Sequence, residues 1–178
     1  VLSVVGYLGG LVFIAYFQQS SDVWSVYACF AIAVSVWGTL ELSYFKSWLT
    51  GPNNAPCPAH VSNWERFRFG VQTSLHHEIA VIITAIFLIG IAVSSEQSTG
   101  TAAFIVLWLM RWSAKLNLFF GVRNFNSEML PQPMRYLESY VRHAPINAFF
   151  PASVLAAAVV LGVLVWTATQ PGVIASVQ

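Results

Sequence analysis

Charge is what this sequence has least of. Only 8% of its 178 residues are Asp, Glu, Lys or Arg, against about a quarter in a soluble globular domain. Hydrophobic residues make up 57%, and the mean hydropathy is +0.66. That balance excludes an ordinary water-soluble domain and defines a polytopic membrane protein. The net charge is +1, with no basic stripe or aromatic-basic interleaving, so nucleic acid is excluded as a partner and the lipid bilayer is the first one expected. Cysteine is scarce too. Cys29 lies in an apolar segment and Cys57 in a polar loop at that segment's far end, so geometry argues against a disulfide. Cys57 and His60 form half of a Cys-x-x-His zinc pattern, but flanking prolines make the stretch a rigid turn without any metal. There is no basic n-region, no small-residue cleavage pattern, no repeat and no low-complexity tract. Val1 is not an initiator Met, and a piece of a longer protein is expected.

What is present is apolar length. Five runs are long enough, or nearly so, to cross a hydrocarbon core of about 30 Å as helices. They are residues 1–17, 23–45, 67–93, 101–122 and 149–169. The expected fold is all-α, a single transmembrane helix bundle of five spans over residues 1–178. Gly6 and Gly10 in the first run form a G-x-x-x-G pair that permits close helix approach. Trp24 and Trp48 bracket the second run as an interfacial belt. Polar loops fill 46–66 and 123–145, and Met134–Val141 has the amphipathic spacing of an interfacial helix. All eight basic residues fall in or near these two loops, while the short links and the tail from Gln170 have none. The positive-inside rule then predicts that both loops and the N-terminus are cytoplasmic, with the chain ending on the far side.

This topology puts the ionisable groups of three runs in one half of the membrane. Glu41 comes from the second, His76, His77 and Glu78 from the third, and Arg111 and Lys115 from the fourth. At 1.5 Å per residue, Glu41 lies roughly 6 Å inside the cytoplasmic edge, Lys115 about 10 Å and Arg111 about 16 Å. Charge at such depth needs a partner, a water-filled cavity or a ligand. Trp108, three residues before Arg111, is placed to lie over its guanidinium.

Three readings fit. In the first, the groups neutralise one another: Glu78 pairs with Arg111 or Lys115, Glu41 with the other, and the bundle is locked. In the second, neutral His77 is an axial ligand to a tetrapyrrole metal, with Arg111, Lys115 and Asn117 as the further pigment contacts. In the third, Glu41, His77 and Glu78 supply mixed N/O ligands to a catalytic metal. Consecutive residues diverge by about 100° around a helix, which weighs against this last set. Thr73, His77, Ala80 and Thr84 share a small, polar face, so His77 is expected to point inward and His76 away.

Several strings together resemble one family. They are Glu41, Thr50-Gly51-Pro52, Cys57-Pro58, Trp64-Glu65-Arg66-Phe67, His77-Glu78 and Met110-Arg111-Trp112-Ser113-Ala114-Lys115-Leu116-Asn117. Gly121-Val122-Arg123-Asn124, Leu130-Pro131, Arg135-Tyr136-Leu137 and Pro145-Ile146-Asn147-Ala148-Phe149-Phe150-Pro151 continue the likeness. This pattern, from about Trp37 to Ser153, resembles the photosynthetic complex assembly protein 2 family of anoxygenic phototrophic bacteria. The family pattern has Trp before its His-Glu pair, where this chain has His76, so only His77-Glu78 matches.

The resemblance implies a protein of the bacterial cytoplasmic (photosynthetic) membrane that helps assemble reaction-centre and light-harvesting complexes; it carries over no catalytic residues, and a non-enzymatic role is the working expectation. It would bind or hand over bacteriochlorophyll, with reaction-centre or light-harvesting subunits as partners. A permanent small subunit of a pigment–protein complex and a membrane metalloenzyme acting on tetrapyrroles are the alternatives.

Overall fold

A computed structural model describes residues 2–169; Val1 and the tail from Gln170, whose far-side placement was expected, lie outside the described residues. The described residues are helical and contain no β-strand beyond one isolated bridge between Val122 and His143. Six α-helices follow in order: α1 (Leu2–Phe17), α2 (Val23–Phe45), α3 (Asn63–Gln72), α4 (Leu75–Ala92), α5 (Thr99–Phe120) and α6 (Phe149–Ala168). Short 3₁₀ segments at Ser127–Met129 and Gln132–Tyr140 occupy the second loop.

Four of these helices, not five, are long and apolar enough to cross a membrane: α2, α4, α5 and α6. Helix α1 is equally apolar but has 16 residues, about 24 Å of rise and short of the hydrocarbon thickness. The Met134–Val141 stretch is also not an α-helix. It is wound as 3₁₀ and turns Met134 and Tyr140 into the protein.

The third apolar run is broken, which its composition did not reveal. It divides into α3 and α4 at Thr73–Ser74, and the physical cause lies in the preceding loop. The His77 N–H, which a continuous helix would direct to Thr73, donates instead to the Thr50 carbonyl at 3.1 Å. Gly51 lies so close to the Gln72 carbonyl that any Cβ there would overlap it. Helix α3 is begun by a capping box, Ser62 and Glu65 bonding each other's backbone. Helix α4 then opens with Glu78 in its first turn, where the helix dipole favours an anion.

Helix α2 is the centre of the bundle and packs against α1, α4 and α5. Asp22 caps it, accepting from the Trp24 and Ser25 amides. Its buried stripe of Ala33, Val36, Trp37 and Leu40 meets Ile14 of α1, Val81 and Leu88 of α4, and Phe104 of α5. Of the two glycines expected to form a seam, only Gly10 does so. A Cβ on Gly10 would stand 2.5 Å from Val36 Cγ2, while Gly6 has nothing within 4 Å. Gln18, at the end of α1, is fully buried and donates to Thr101 Oγ1 at 2.9 Å. Helix α6 stands apart; none of its apolar window is buried, which suits lipid or a partner helix.

The two long loops are tied together over one end of the bundle. Arg66 donates to the carbonyls of Tyr140 and Phe119, both at 3.0 Å, and its guanidinium lies 4.1 Å over the Phe119 ring. The Tyr140 hydroxyl donates to the Ala55 carbonyl and accepts from Asn53.

Candidate functional site

The break at Thr73–Ser74 and the packing of α4 and α5 on α2 bring four charged side chains into one row. Glu41 accepts from Arg111 Nη1 through both carboxylate oxygens. Arg111 Nε lies 3.6 Å from Glu78 Oε1, and Lys115 Nζ lies 2.5 Å from that same oxygen. Lys115 also donates to Ser74 Oγ at 2.9 Å. Charges therefore alternate across three helices: Glu41, Arg111, Glu78, Lys115. With two anions and two cations, the row is neutral. Such a row fastens α2, α4 and α5 together, because each charge would be uncompensated without its neighbours.

Tyr44, one turn after Glu41, presents its ring to both cations, 4.8 Å from the Arg111 guanidinium and 5.8 Å from Lys115 Nζ. Sequence reasoning assigned that face to Trp108. The correction follows from the direction of Arg111, which reaches across to α2 rather than back along its own helix. Trp108 Nε1 is instead buried without a hydrogen-bond partner. Tyr44 and Ser74 were not singled out, although i+3 from Glu41 and i−4 from Glu78 are the positions that share a helix face with them.

His77 sits behind this row. It is 0% exposed, and its ring packs edge-on against Tyr44 with centroids 5.1 Å apart. Nε2 is 3.7 Å from Glu41 Oε1, and neither ring nitrogen has a hydrogen-bond partner of normal geometry. His76 is exposed. A buried imidazole with unpartnered nitrogens has the donor chemistry of a tetrapyrrole ligand, but both nitrogens are enclosed by the bundle and His77 borders no cavity, so this packing leaves no room for a macrocycle at either nitrogen.

Asn117 is not brought to the row. Its side-chain amide donates to the Ser113 carbonyl at 2.9 Å and to Ser153 Oγ of α6 at 3.2 Å, so it joins α5 to α6. For a metal, Glu41, His77 and Glu78 are neighbours, but both carboxylates already serve the two cations. Among the described residues no three His, Cys, Asp or Glu side chains form a metal-holding group. Cys57 is a free thiol in the first loop, and its pKa is raised by burial.

Beside the row is a half-open cavity of about 390 Å³ between the end of α2, α3, α5 and the second loop. Arg111, Lys115, Glu41 and Ser74 form its polar end, and the other walls are almost wholly apolar. His77 and Asn117 do not line it.

The fold and this row define an all-helical membrane protein whose buried charges are shared among three helices. A family model described as protein of unknown function (DUF3623) matches residues 1–177, and the chain belongs to that family. It is 40% identical over 156 residues to a Rhodobacter capsulatus protein described as an uncharacterized 30.4 kDa protein in the puhA 5′ region. The match covers 85% of this chain but 57% of that relative, so the chain spans little more than half the relative's length. No solved structure matches it significantly.

Proposed function

We propose that this protein is an integral membrane factor for the assembly of bacterial photosynthetic complexes. The observation that carries the reading is its relative in the puhA 5′ region, which we read as a reaction-centre gene neighbourhood. The strings around His77-Glu78 and Arg111–Asn117 support it independently. On this reading the protein resides in the cytoplasmic membrane of a phototroph, with both long loops on the cytoplasmic side. It holds reaction-centre or light-harvesting subunits through outward-facing apolar helices such as α6. The charged row is the lock that fixes α2, α4 and α5, and Asn117 ties α6 to that frame. Bacteriochlorophyll enters as cargo to be handed over, not as a resident cofactor on His77.

Deleting the gene in a phototroph and recording near-infrared absorption of its membranes tests the reading. Reaction-centre or light-harvesting bands that fall and recover on complementation support it; bands unchanged by the deletion sink it. A His77→Ala variant purified from pigment-making cells tests the cargo's place, because absorption identical to wild type removes His77 from any contact. The exposed α6 also favours a second reading, a permanent small subunit. Co-purification in constant ratio with the mature reaction centre would select that reading over a departing assembly factor.

A further inference from the structure

Helices α1 and α2 touch and then part. At Gly10 they are so close that a Cβ would stand 2.5 Å from Val36 Cγ2, yet one turn earlier, at Gly6, a Cβ would meet nothing within 4 Å. The divergence opens a half-open pocket of about 270 Å³ at the loop end of the bundle. Ser3 and Gly6 line it from α1, and Thr39, Ser43, Lys46 and Trp48 from the end of α2 and the turn that follows.

The polar groups of this pocket are set for an oxygen-rich anion. Thr39, Ser43 and Lys46 stand at i, i+4 and i+7, on one face of α2. Lys46 is exposed, and among the described residues no carboxylate lies within 4 Å of it. Its Nζ is 4.9 Å from the centre of the Trp48 ring, a contact that orients the ammonium but gives its N–H donors no acceptor atom. Trp48 is fixed in turn, because its backbone N–H donates to the Ser43 carbonyl at 2.9 Å across Ser47, whose φ is +57° where glycine is usual. The Thr39 and Ser43 hydroxyls donate to the Ser35 and Leu40 carbonyls of their own helix. Those carbonyls already take a helix bond, so either hydroxyl can turn to a ligand oxygen without stranding a backbone group.

Charge and position identify the anion. Outside the neutral row, six cations lie at this end of the chain's helices against only Glu65, Glu128 and Glu138. The excess is positive, so an anion is drawn here and a cation is not. Leu42, 61% exposed, forms the apolar edge of the pocket, and two apolar helices run on below it. A phosphate that carries acyl chains satisfies both parts of this surface, whereas a free anion satisfies only Lys46.

We propose that this pocket binds an anionic phospholipid by its headgroup: a phosphate oxygen accepts from Lys46 Nζ, ester oxygens accept from the Thr39 and Ser43 hydroxyls, and the acyl chains lie along α1 and α2. The inference rests on the pocket and its charge and does not depend on a role in photosynthesis.

The test titrates the full-length protein, in a nonionic detergent, with phosphatidylglycerol and with phosphatidylcholine, and counts bound lipid by native mass spectrometry. Phosphatidylglycerol is expected to bind about fivefold more tightly, the effect of one nearby cation on an anionic lipid. Lys46→Gln should abolish that preference and Lys46→Arg should keep it. Gly6→Leu fills the pocket from the α1 side, where a Cβ meets no other atom, and should lower phosphatidylglycerol binding by about fivefold or more. Arg123→Gln removes an exposed cation of the second loop that does not line the pocket, and should change nothing. Equal binding of the two lipids, a preference that survives Lys46→Gln, or binding equal to wild type in Gly6→Leu overturns the proposal. A loss in Arg123→Gln as large as that in Lys46→Gln also overturns it, by showing a diffuse field in place of a site. So does displacement of the lipid by glycerol 3-phosphate at equal concentration, which would show a site for soluble anions.

Discussion

Lys115 and Glu78 face each other across α5 and α4 at 2.5 Å, with Glu78 only 4% exposed and Ser74 completing the contact at 2.9 Å. Lys115→Leu removes the cation and leaves the carboxylate in the bundle with only the more distant Arg111 Nε. The expected loss is about 3–5 kcal/mol. Thermal unfolding in detergent checks it, and the Glu78→Leu/Lys115→Leu double variant should recover a large part of the loss. A melting temperature unchanged in Lys115→Leu would mean that the pair does not hold the helices.

Tyr44 is a ring platform for Arg111 more than a hydroxyl donor. Tyr44→Phe keeps the aromatic face and should leave stability close to wild type. Tyr44→Leu removes it, at an expected cost of about 2 kcal/mol for a desolvated cation–π contact. Equal losses in the two variants would assign the effect to the hydroxyl.

Gly10 sets the distance between α1 and α2. Because a Cβ would lie 2.5 Å from Val36 Cγ2, Gly10→Ala must force Val36 from its rotamer or push the helices apart, at about 1–3 kcal/mol for overpacking. Gly6→Ala meets nothing within 4 Å and should be neutral or slightly stabilising. Paired melting curves of the two variants separate a packing seam from general glycine effects.

Asp22 gives the fold an acid-sensitive cap. Hydrogen bonds from Ser20 and Ser25 hold its carboxyl down to about 2, below the usual 3.8. Its folded value is depressed, so its contribution is present in full above the unfolded value and fades as pH falls from about 4 toward 2. Asp22→Asn retains a good capping residue without the titration. The stability difference between wild type and Asp22→Asn should therefore favour wild type at pH 6 and shrink by pH 3. A difference independent of pH would contradict this.

Cys57 reports orientation. It is partly exposed in the first loop, while Cys29 is buried between α1 and α2 and serves as a silent internal control. The positive-inside rule predicts cytoplasmic basic loops; on that prediction a membrane-impermeant maleimide should label Cys57 in inverted vesicles and not in intact spheroplasts, and Cys57→Ser should abolish the signal. Labelling from the outside would reverse the topology.

Composition and spacing were enough to establish an all-helical membrane protein, because twenty-residue apolar runs have few other stable states in a bilayer. They also located α2, α5 and α6 within a few residues. The scarcity of charge drew attention to Glu41, His77, Glu78, Arg111 and Lys115, since each buried ion stands out against an apolar background.

Tertiary contacts decided the rest. Thr73 and Ser74 are capping residue types but make no side-chain cap bond to α4, so the local signal is weak; the Thr50 carbonyl and Gly51, more than twenty residues earlier, take over the backbone bond and occupy the space. Which carboxylate meets which cation depends on helix rotation, which an i, i+4 pattern on separate helices does not specify. The same packing turned Arg111 toward Tyr44, enclosed His77, drew Asn117 to α6, and opened beside the row a cavity whose walls come from four distant parts of the chain.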